Sequence, residues 1–385
     1  DGVPERLAGS VEAATDGLTV NGQTVGDLRA SIQLLDGLLA ASMQKDGSPP
    51  VRLEGADLRA GISDLNYDFE TGQVRLNASF AQVPVSVLRA LAVRSPWFLA
   101  HPDELPSWLQ PVMNAVEGEL SGTVEVTGPI DDAQLALRLS AEGARVLGMV
   151  NTEVRGDIAI RKSTAALNTF RIANGTALIE ADGKLAEDGT LSGRLTARRL
   201  PIALTESLFP DRPELLGWNG ELSALRAELS GTRERPIVTG AATVERVFKA
   251  GATGPRPPVH IRRLDVAAMH VQEGEARAEG VTVEFERLEP GALPRAAAGE
   301  DTFRASGSAA IGFGWSAPFV RMDSPAALSL TLPEQSLDIL KALAPGAPIK
   351  SDGRIAAALS FTGTLAELGD PQRALVAEAP SVKLK

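Results

Sequence analysis

"GELSGTVEVTGPIDDAQLALRLSAEG" (residues 118–143) alternates apolar and polar residues on both sides of a short central turn. Such period-two alternation is typical of a strand with one apolar face and one solvated face. The Gly128-Pro129 and Asp131-Asp132 pairs between the two halves are turn signals. The stretch therefore predicts a β-hairpin whose apolar residues share one face.

The same alternation recurs along the chain, separated by Asp-Gly, Asn-Gly, Glu-Gly and Gly-Pro pairs. Those pairs supply the backbone conformations that tight hairpin turns need. The clearest further stretches are QVRLNASF (73–80), GTLSGRLTARRL (189–200), GVTVEFERL (280–288) and RIAAALSFTG (354–363). We therefore predict an all-β chain with mostly antiparallel strands and a few short helices.

The composition favours an extended sheet over a thick globular core. Aromatic residues make up only 4% of the 385-residue chain, whereas Gly (37) and Pro (25) are plentiful. Thick cores usually depend more on aromatic rings, which bury the largest areas. We predict one elongated, curled sheet with an apolar concave face; a string of β-sandwiches is the alternative that periodicity leaves open.

Charge and cysteine content exclude some classes of function. The formal net charge is −11, no basic block occurs, and the chain has no cysteine. Nucleic-acid binders need clustered Lys and Arg to neutralise phosphates, so no nucleic-acid partner is expected. Disulfides and thiolate metal sites are excluded. No stretch approaches the roughly 20 apolar residues of a membrane-spanning helix.

Three similar segments predict an internal repeat. Each begins with an aliphatic residue and a proline (Pro84, Pro201 or Pro333), continues as a helix-like apolar segment and ends in a glycine that starts a strand. A proline suits the first turn of a helix. The repeat divides the chain into a partial unit (1–82), two units with helical starts (83–199 and 200–331) and the start of a truncated unit (332–385).

A loose pattern of glycine, strand, glycine, polar turn and second strand occurs in three places. The segments are 118–143, GELSALRAELSGTRERPIVTGAATV (220–244) and GRIAAALSFTGTLAELGDPQRALVAEA (353–379). Together with the strand-rich body at 152–204, this pattern resembles the AsmA-like superfamily, and within it the TamB family of translocation and assembly module proteins.

The resemblance implies a U-shaped hydrophobic trough in the periplasm that moves phospholipids between the inner and outer membranes and supports outer-membrane biogenesis. It also implies an N-terminal helix that anchors the protein in the inner membrane, and an outer-membrane partner of the Omp85 type. An older role in outer-membrane protein assembly is implied as well. We expect the chain to be an internal fragment, with the anchor and the partner-binding region outside it.

The apolar strand face is the main candidate site, because a wall of Val, Leu, Ile and Ala can accept phospholipid acyl chains without directional groups. An ordinary buried core is the alternative. The candidate lining residues are Val74, Leu76, Phe80, Leu120, Val124, Val126, Leu135, Leu137, Leu139, Ile158, Ile160, Leu191, Leu195, Val281, Val283, Phe285, Ile355, Leu359 and Phe361.

Aromatic and large apolar residues in the predicted helices form a second candidate set. They are Trp97, Phe98, Trp108, Met113 and Trp218. Such residues could plug or gate a groove; docking of a helix onto a sheet edge is the alternative.

Catalytic motifs find little support in the sequence. His101, His260 and His270 have no acidic partner at metal-ligand spacing, and no nucleophile elbow or zinc motif occurs. We expect no enzyme activity, no metal and no cofactor. The functional alternatives to lipid conduction are a chaperone-like scaffold for outer-membrane protein assembly, or a structural or adhesive β-sandwich array.

Overall fold

A computed structural model describes residues 8–20, 23–35, 37–42, 48–55, 59–86, 116–204, 217–249, 259–287, 302–315, 320–336, 354–368 and 381–384. These residues are almost entirely β-strand, and every strand pairing is antiparallel. The prediction of an all-β, antiparallel fold is confirmed. The curled trough stays a prediction. In the described part of the chain, no helix has the length and apolar content that crossing a membrane requires.

The strands divide into two compact units, with unit 1 comprising residues 1–175 and 179–190. Its strands are β1 (Gly9–Val20), β2 (Gln23–Leu35), β3 (Leu38–Ser42), β4 (Val51–Glu54), β5 (Arg59–Asp68), β6 (Gln73–Pro84), β7 (Val116–Glu117), β8 (Glu119–Pro129), β9 (Gln134–Val146), β10 (Met149–Arg161), β11 (Thr164–Asn174) and most of β12 (Ala177–Leu185). A 3₁₀ turn, Ile130–Asp132, joins β8 to β9.

Unit 1 is a meander in which successive strands pair. The short strands β3 and β4 both pair with β2 on one side and with β5 on the other, so together they occupy one position in the sheet. The order continues through β5, β6, β8, β9, β10 and β11, and β7 pairs with the far end of β9.

Unit 2 comprises residues 176–178 and 191–385. Its strands are β13 (Leu191–Arg198), β14 (Leu200–Pro201), β15 (Trp218–Gly231), β16 (Pro236–Lys249), β17 (Val259–Gln272), β18 (Glu275–Arg287), β19 (Thr302–Ile311), β20 (Pro325–Ser336), β21 (Arg354–Thr364) and β22 (Ser381–Leu384). One turn of helix, α1 (Leu365–Leu368), follows β21. From β15 onward each strand pairs with the next. On its other side β15 pairs with both β13 and β14.

Irregular pairing interrupts most of the long strands. Register shifts occur, for example, between Phe80 and Val83 in β6 and between Ile261 and Arg263 in β17. A bulge of this kind adds a residue on one strand, bends it and increases its local twist. Beyond a bulge, the residues on a given face therefore change from even to odd numbers, or from odd to even.

Side chains that are fully buried are small and few in the described residues. Most buried apolar positions are alanine or valine, and the largest side chains with almost no exposure are Val83, Val146 and Thr152. A sheet that buried one whole face under a second layer would hide long rows of large residues instead. The apolar interior within each unit is therefore thin.

Helical backbone begins at Val85, directly after Pro84, and at Leu204, three residues after Pro201, whereas the strand continues through Pro333. Pro84 ends β6, Pro201 ends β14, and Pro333 lies within β20. Most of each apolar segment lies outside the described residues, so the helices predicted after Pro84 and Pro201 stay a prediction. The repeat boundaries stay a prediction.

Candidate functional site

Apolar residues of neighbouring strands stand directly opposite one another in unit 1. Leu76 of β6 pairs with Val126 of β8, Val126 with Leu135 of β9, and Leu135 with Ile160 of β10. Residues that pair across an antiparallel sheet point to the same face. The four residues therefore form a continuous apolar row that crosses four strands.

A second row runs parallel to the first, two residues further along each strand. Ala78 pairs with Val124, Val124 with Leu137, and Leu137 with Ile158. On the other side of β6 the row continues to Ile62 of β5. The predicted lining residues of β6, β8, β9 and β10 are thus brought onto one face.

Aromatic rings on this face of unit 1 lie beside glycines. Phe80 pairs with Gly122, and a Cβ placed on Gly122 would stand 2.8 Å from the Phe80 Cζ. Phe170 pairs with Gly156 in the same way, at the ordinary contact distance of 3.8 Å. The glycines leave room for the large rings, so the rings lie low over the backbone.

The lining residues of unit 1 are only partly covered. Val74, Leu76, Phe80, Leu120, Val124, Val126, Leu135, Leu137, Leu139 and Ile158 are half-buried. Ile160 is 43% exposed. Within the described part of unit 1, none of these side chains has the burial that a packed second layer would give.

The opposite face of unit 1 is polar and carries ion pairs between strands. Arg75 lies 3.3 Å from Asp64, and Arg138 lies 3.7 Å from Asp157. These pairs are largely solvent-exposed, so each contributes little stability. The charged side chains of β5, β6, β9 and β10 in these pairs thus lie on the face opposite the apolar rows.

Unit 2 repeats this division of faces. Ala227 pairs with Leu195 on one side and with Gly240 on the other, and the row continues through Met269 of β17 to Ala278 of β18. It then reaches β19, β20 and β21 through Ala309, Leu328 and Phe361. Leu191, Leu195, Val281 and Phe285 are half-buried.

Two predicted lining residues of unit 2 are more deeply buried than any of those of unit 1. Val283 is 9% exposed and Phe361 is 8% exposed. Phe303, which pairs with Phe285, is 7% exposed. These side chains of unit 2 are therefore less accessible to another apolar molecule than the lining residues of unit 1.

Two predicted lining residues and most predicted gate residues are not described at the side-chain level. Ile355 and Leu359 belong to β21. Trp97, Phe98, Trp108 and Met113 lie outside the described residues. Trp218 is the first residue of β15, paired with Lys249, so its predicted place in a helix is wrong; a role in gating stays a prediction.

The sequence reasoning missed part of the apolar face of unit 1. Ile62, Leu65 and Tyr67 of β5 share it with Leu28 of β2 and Leu53 of β4. In β5 a bulge between Ile62 and Asp64 moves the apolar positions from even to odd numbers. Strict alternation fails at that bulge. The apolar residues of β5 still indicate a strand, and they are the signal that could have found this part of the face.

A network of charges crosses four strands on the polar face of unit 2. Arg263 donates two hydrogen bonds to Asp265, at 2.6 and 3.0 Å, and the Thr243 hydroxyl donates a third at 2.7 Å. These donors, with Arg263 first, hold the pKa of Asp265 below its usual value. Arg262 and Arg304 both donate to Glu284, the former at 2.6 Å. The arrangement links side chains of β16, β17, β18 and β19 across the sheet.

Two shallow concavities, one in each unit, are lined largely by polar-face residues. The one in unit 1 measures about 400 Å³ and includes Arg138, Ser140 and Asp157. The one in unit 2 measures about 560 Å³ and includes Arg277 and Ser329. Both are open hollows between strands, and charges of both signs border them.

The histidines do not assemble into a site in the described residues. His260 is buried and packs edge-to-face against Phe248, with ring centroids 5.4 Å apart. His270 stands opposite Arg277. His101 lies outside the described residues. In the described part of the chain no three His, Cys, Asp or Glu side chains cluster as metal ligands.

No family model, curated protein or solved structure matches this chain.

Proposed function

We propose that the chain conducts phospholipids, with their acyl chains lying on the apolar sheet face. The observation that carries the proposal is the set of in-register apolar rows in unit 1, whose side chains are only half-buried. An apolar surface of this extent that is left partly open has a large free energy to gain from an apolar occupant.

Acyl chains suit the chemistry of this face. Each CH₂ group removed from water contributes about 0.8 kcal/mol, and the contribution needs no directional partner. The rows hold Val, Leu, Ile and Ala, without a polar residue to fix a position. A chain bound by dispersion and water exclusion alone can slide along such rows, and its polar headgroup stays in water.

The cellular setting of the proposal rests on the resemblance to the AsmA-like superfamily. We propose a periplasmic location and transfer between the inner and outer membranes, in support of outer-membrane biogenesis. Attachment to the inner membrane and contact with an Omp85-type partner would depend on segments outside this chain. No enzymatic step is required.

Site-specific crosslinking tests the proposal. A photoreactive amino acid is placed at Val124 or Leu137 on the apolar face, and at Thr123 or Arg138 on the polar face of the same two strands. After incubation with phospholipid vesicles and irradiation, the expected result is lipid adducts at Val124 and Leu137 only. Equal labelling at all four positions, or none at any, would refute the proposal.

One observation favours a second candidate, a scaffold that offers its sheet edge to outer-membrane strands. Among the described strands β1 pairs only with β2, and its described side chains are exposed along its length. An unpaired edge of this length is a template for another strand. Proline at Ala13 and at Ala14 tests this, because neighbouring N–H groups point to opposite sides. At one of these two positions the N–H points away from β2, and proline there leaves the β1–β2 pairing intact. That variant should lose binding of unfolded outer-membrane protein and keep normal lipid crosslinking.

A further inference from the structure

The apolar face of unit 1 is exposed at one end of its strands and buried at the other. Along β6 the side chains pass from half-buried Val74 and Leu76 to Val83, which has no exposure. Val83 pairs with Leu120, which lies two residues from Gly122 and so points to the same face. An acyl chain therefore has no accessible side chain to contact at Val83.

Strands β9 and β10 show the same change in exposure. Ile160 at one end of β10 is 43% exposed. Toward the other end Val154 pairs with Ala141, and Thr152, two residues nearer the start of β10, pairs with Ala144. Ala141, Thr152 and Ala144 are at most 4% exposed. We name the end of the face at Ile160 the open end and the end at Thr152 the closed end.

Two further large apolar side chains lie at the open end. Phe69 directly follows β5, is 42% exposed and meets the ring of Tyr67 edge-to-face, with ring centroids 4.9 Å apart. Ile130 lies two residues beyond Gly128 of β8 and is 66% exposed. Its N–H donates to the Gly72 carbonyl at 2.9 Å, which holds the β8–β9 turn against the β5–β6 turn. These side chains extend the apolar face beyond its rows, as far as the turns.

The turns beside the open end are polar. The pairs Gln73–Pro129 and Gln134–Arg161 place the β5–β6, β8–β9 and β10–β11 turns side by side. Their polar side chains, all of them exposed except that of Asp132, are Glu70, Thr71, Asp131, Asp132, Lys162 and Ser163. A phospholipid headgroup can stay hydrated at these turns while the acyl chains of the same molecule reach the apolar rows.

We propose that phospholipids enter and leave the apolar face of unit 1 over its open end. The headgroup lies at the three turns and the acyl chains lie on the two apolar rows. Phe69, Ile130 and Ile160 keep an acyl chain in contact with apolar side chains as it passes between the turns and the rows. At the closed end the face is already covered, so that end offers no such path. This inference rests on the proposed function and adds the route and the orientation of the lipid.

Transfer kinetics test the route. The whole chain is loaded with phosphatidylcholine that carries a fluorescent acyl chain, and transfer to unlabelled phosphatidylcholine vesicles is followed by the change in fluorescence. Phe69→Glu/Ile130→Glu should slow transfer at least about tenfold, because an acyl chain then has to pass two carboxylates that it would desolvate. The amount of lipid retained before vesicles are added should be unchanged, because both residues lie outside the two rows.

Val150→Glu is the matched control for the route. Val150 is 53% exposed, lies near the closed end of β10 and is skipped by the pairing of β10 with β9. The glutamate there adds a charge at an exposed apolar position away from the proposed path. This variant should transfer lipid at the wild-type rate.

A single introduced cysteine tests the orientation, since the chain has no cysteine of its own. A fluorophore is attached to Thr71→Cys at the open end or to Glu142→Cys, an exposed position of β9 toward the closed end. Phosphatidylcholine with a nitroxide on its headgroup should quench the fluorophore at position 71 and leave the fluorophore at position 142 nearly unquenched.

Three results would overturn the inference. They are a wild-type transfer rate in Phe69→Glu/Ile130→Glu, an equal slowing in Val150→Glu, and equal quenching at positions 71 and 142. Circular dichroism melts separate slow transfer from loss of fold, and Phe69→Ser/Ile130→Ser, expected to slow transfer at least about threefold, serves if the glutamate variant unfolds. Lipid adducts at Val124 with an unchanged transfer rate would reject the route alone, whereas absence of adducts in the wild-type chain would reject the proposed function and the route with it.

Discussion

Phe80 of β6 lies over Gly122 of β8, where a Cβ would approach its ring to 2.8 Å and the Arg138 carbonyl oxygen to 2.4 Å. Real Cβ atoms do not come so close to backbone atoms, so Gly122 has no room for a side chain. The glycine therefore sets the height of the Phe80 ring above the sheet.

Gly122→Ala should destabilise unit 1. The added methyl group must displace Phe80 or the backbone of β9, and overpacking of this kind costs about 1–3 kcal/mol. The measurement is the free energy of unfolding in urea. Gly156→Ala is the matched control, because its Cβ would meet only Phe170 and Leu139, at 3.8 and 3.9 Å. Equal losses of unfolding free energy in the two variants would mean that the close contacts at Gly122 are not the cause.

The Thr152 hydroxyl supports a second prediction. Thr152 is fully buried, donates to the Met149 carbonyl at 2.9 Å and accepts from Asn174 Nδ2 at 3.1 Å. Thr152→Val keeps the shape of the side chain but removes the hydroxyl that bonds the Met149 carbonyl and the Asn174 amide. The loss should cost about 1–3 kcal/mol of unfolding free energy. Thr164→Val removes the same kind of bond, to the Arg161 carbonyl, at an exposed hairpin and should cost less than about 0.5 kcal/mol.

Strand identity and the division of faces could be predicted from local pattern. In 118–143 the alternation predicted that Val124, Val126, Leu135, Leu137 and Leu139 share one face, and the structure has them there, because no bulge interrupts the pairing of β8 with β9. In β5 the same reasoning fails after Ile62, since a bulge shifts the count by one. Bulges follow from non-local pairing, and alternation within one strand does not reveal them.

The prolines illustrate a different limit. Pro84 and Pro201 end strands, and Pro333 lies inside one at a register shift between Leu332 and Gln335. A proline suits the first turn of a helix and also an irregular or terminal strand position. The sequence motif is compatible with both. Helical residues follow Pro84 and Pro201, whereas at Pro333 the pairing of β20 with β21 selects the strand.

The charge network around Glu284 also escaped sequence reasoning. Arg262 and Arg304, which donate to Glu284, lie on the two strands that flank β18 and are distant from it in sequence. Only the pairing of the strands brings these residues together.

Acid should weaken unit 2 through Asp265. Its folded-state pKa is lowered, first by the hydrogen bonds from Arg263, so the ionised carboxylate favours the folded state. This stability is fully present above the unfolded pKa of about 3.9 and is lost as pH falls through the folded value.

Urea unfolding at pH 5 and at pH 3 measures this effect. The wild-type chain should lose more stability on acidification than Asp265→Asn, with a difference of about 1 kcal/mol or less because the pair is partly exposed. The variant should already be less stable at pH 5. Parallel acid profiles for the two proteins would show that the pair contributes no pH dependence.

A charge on the apolar face should impede lipid binding, whereas the same charge on the polar face should not. Val124 and Thr123 are adjacent in β8 and point to opposite faces, toward Leu137 and Arg138 of the next strand. In Val124→Asp a carboxylate would have to be desolvated beneath an acyl chain, and the cost of burying an unpaired charge exceeds the gain from several CH₂ groups. Phospholipid retained by the purified chain, measured by mass spectrometry, should therefore fall at least about tenfold.

Thr123→Asp adds the same charge beside Arg138 and should retain wild-type amounts of phospholipid. Val124→Thr keeps the shape of the side chain and serves if the aspartate variant fails to fold; it should give an intermediate loss. Equal retention in the Val124 and Thr123 variants would mean that the lipid lies elsewhere on the protein, and the apolar rows would then be only an incompletely covered core.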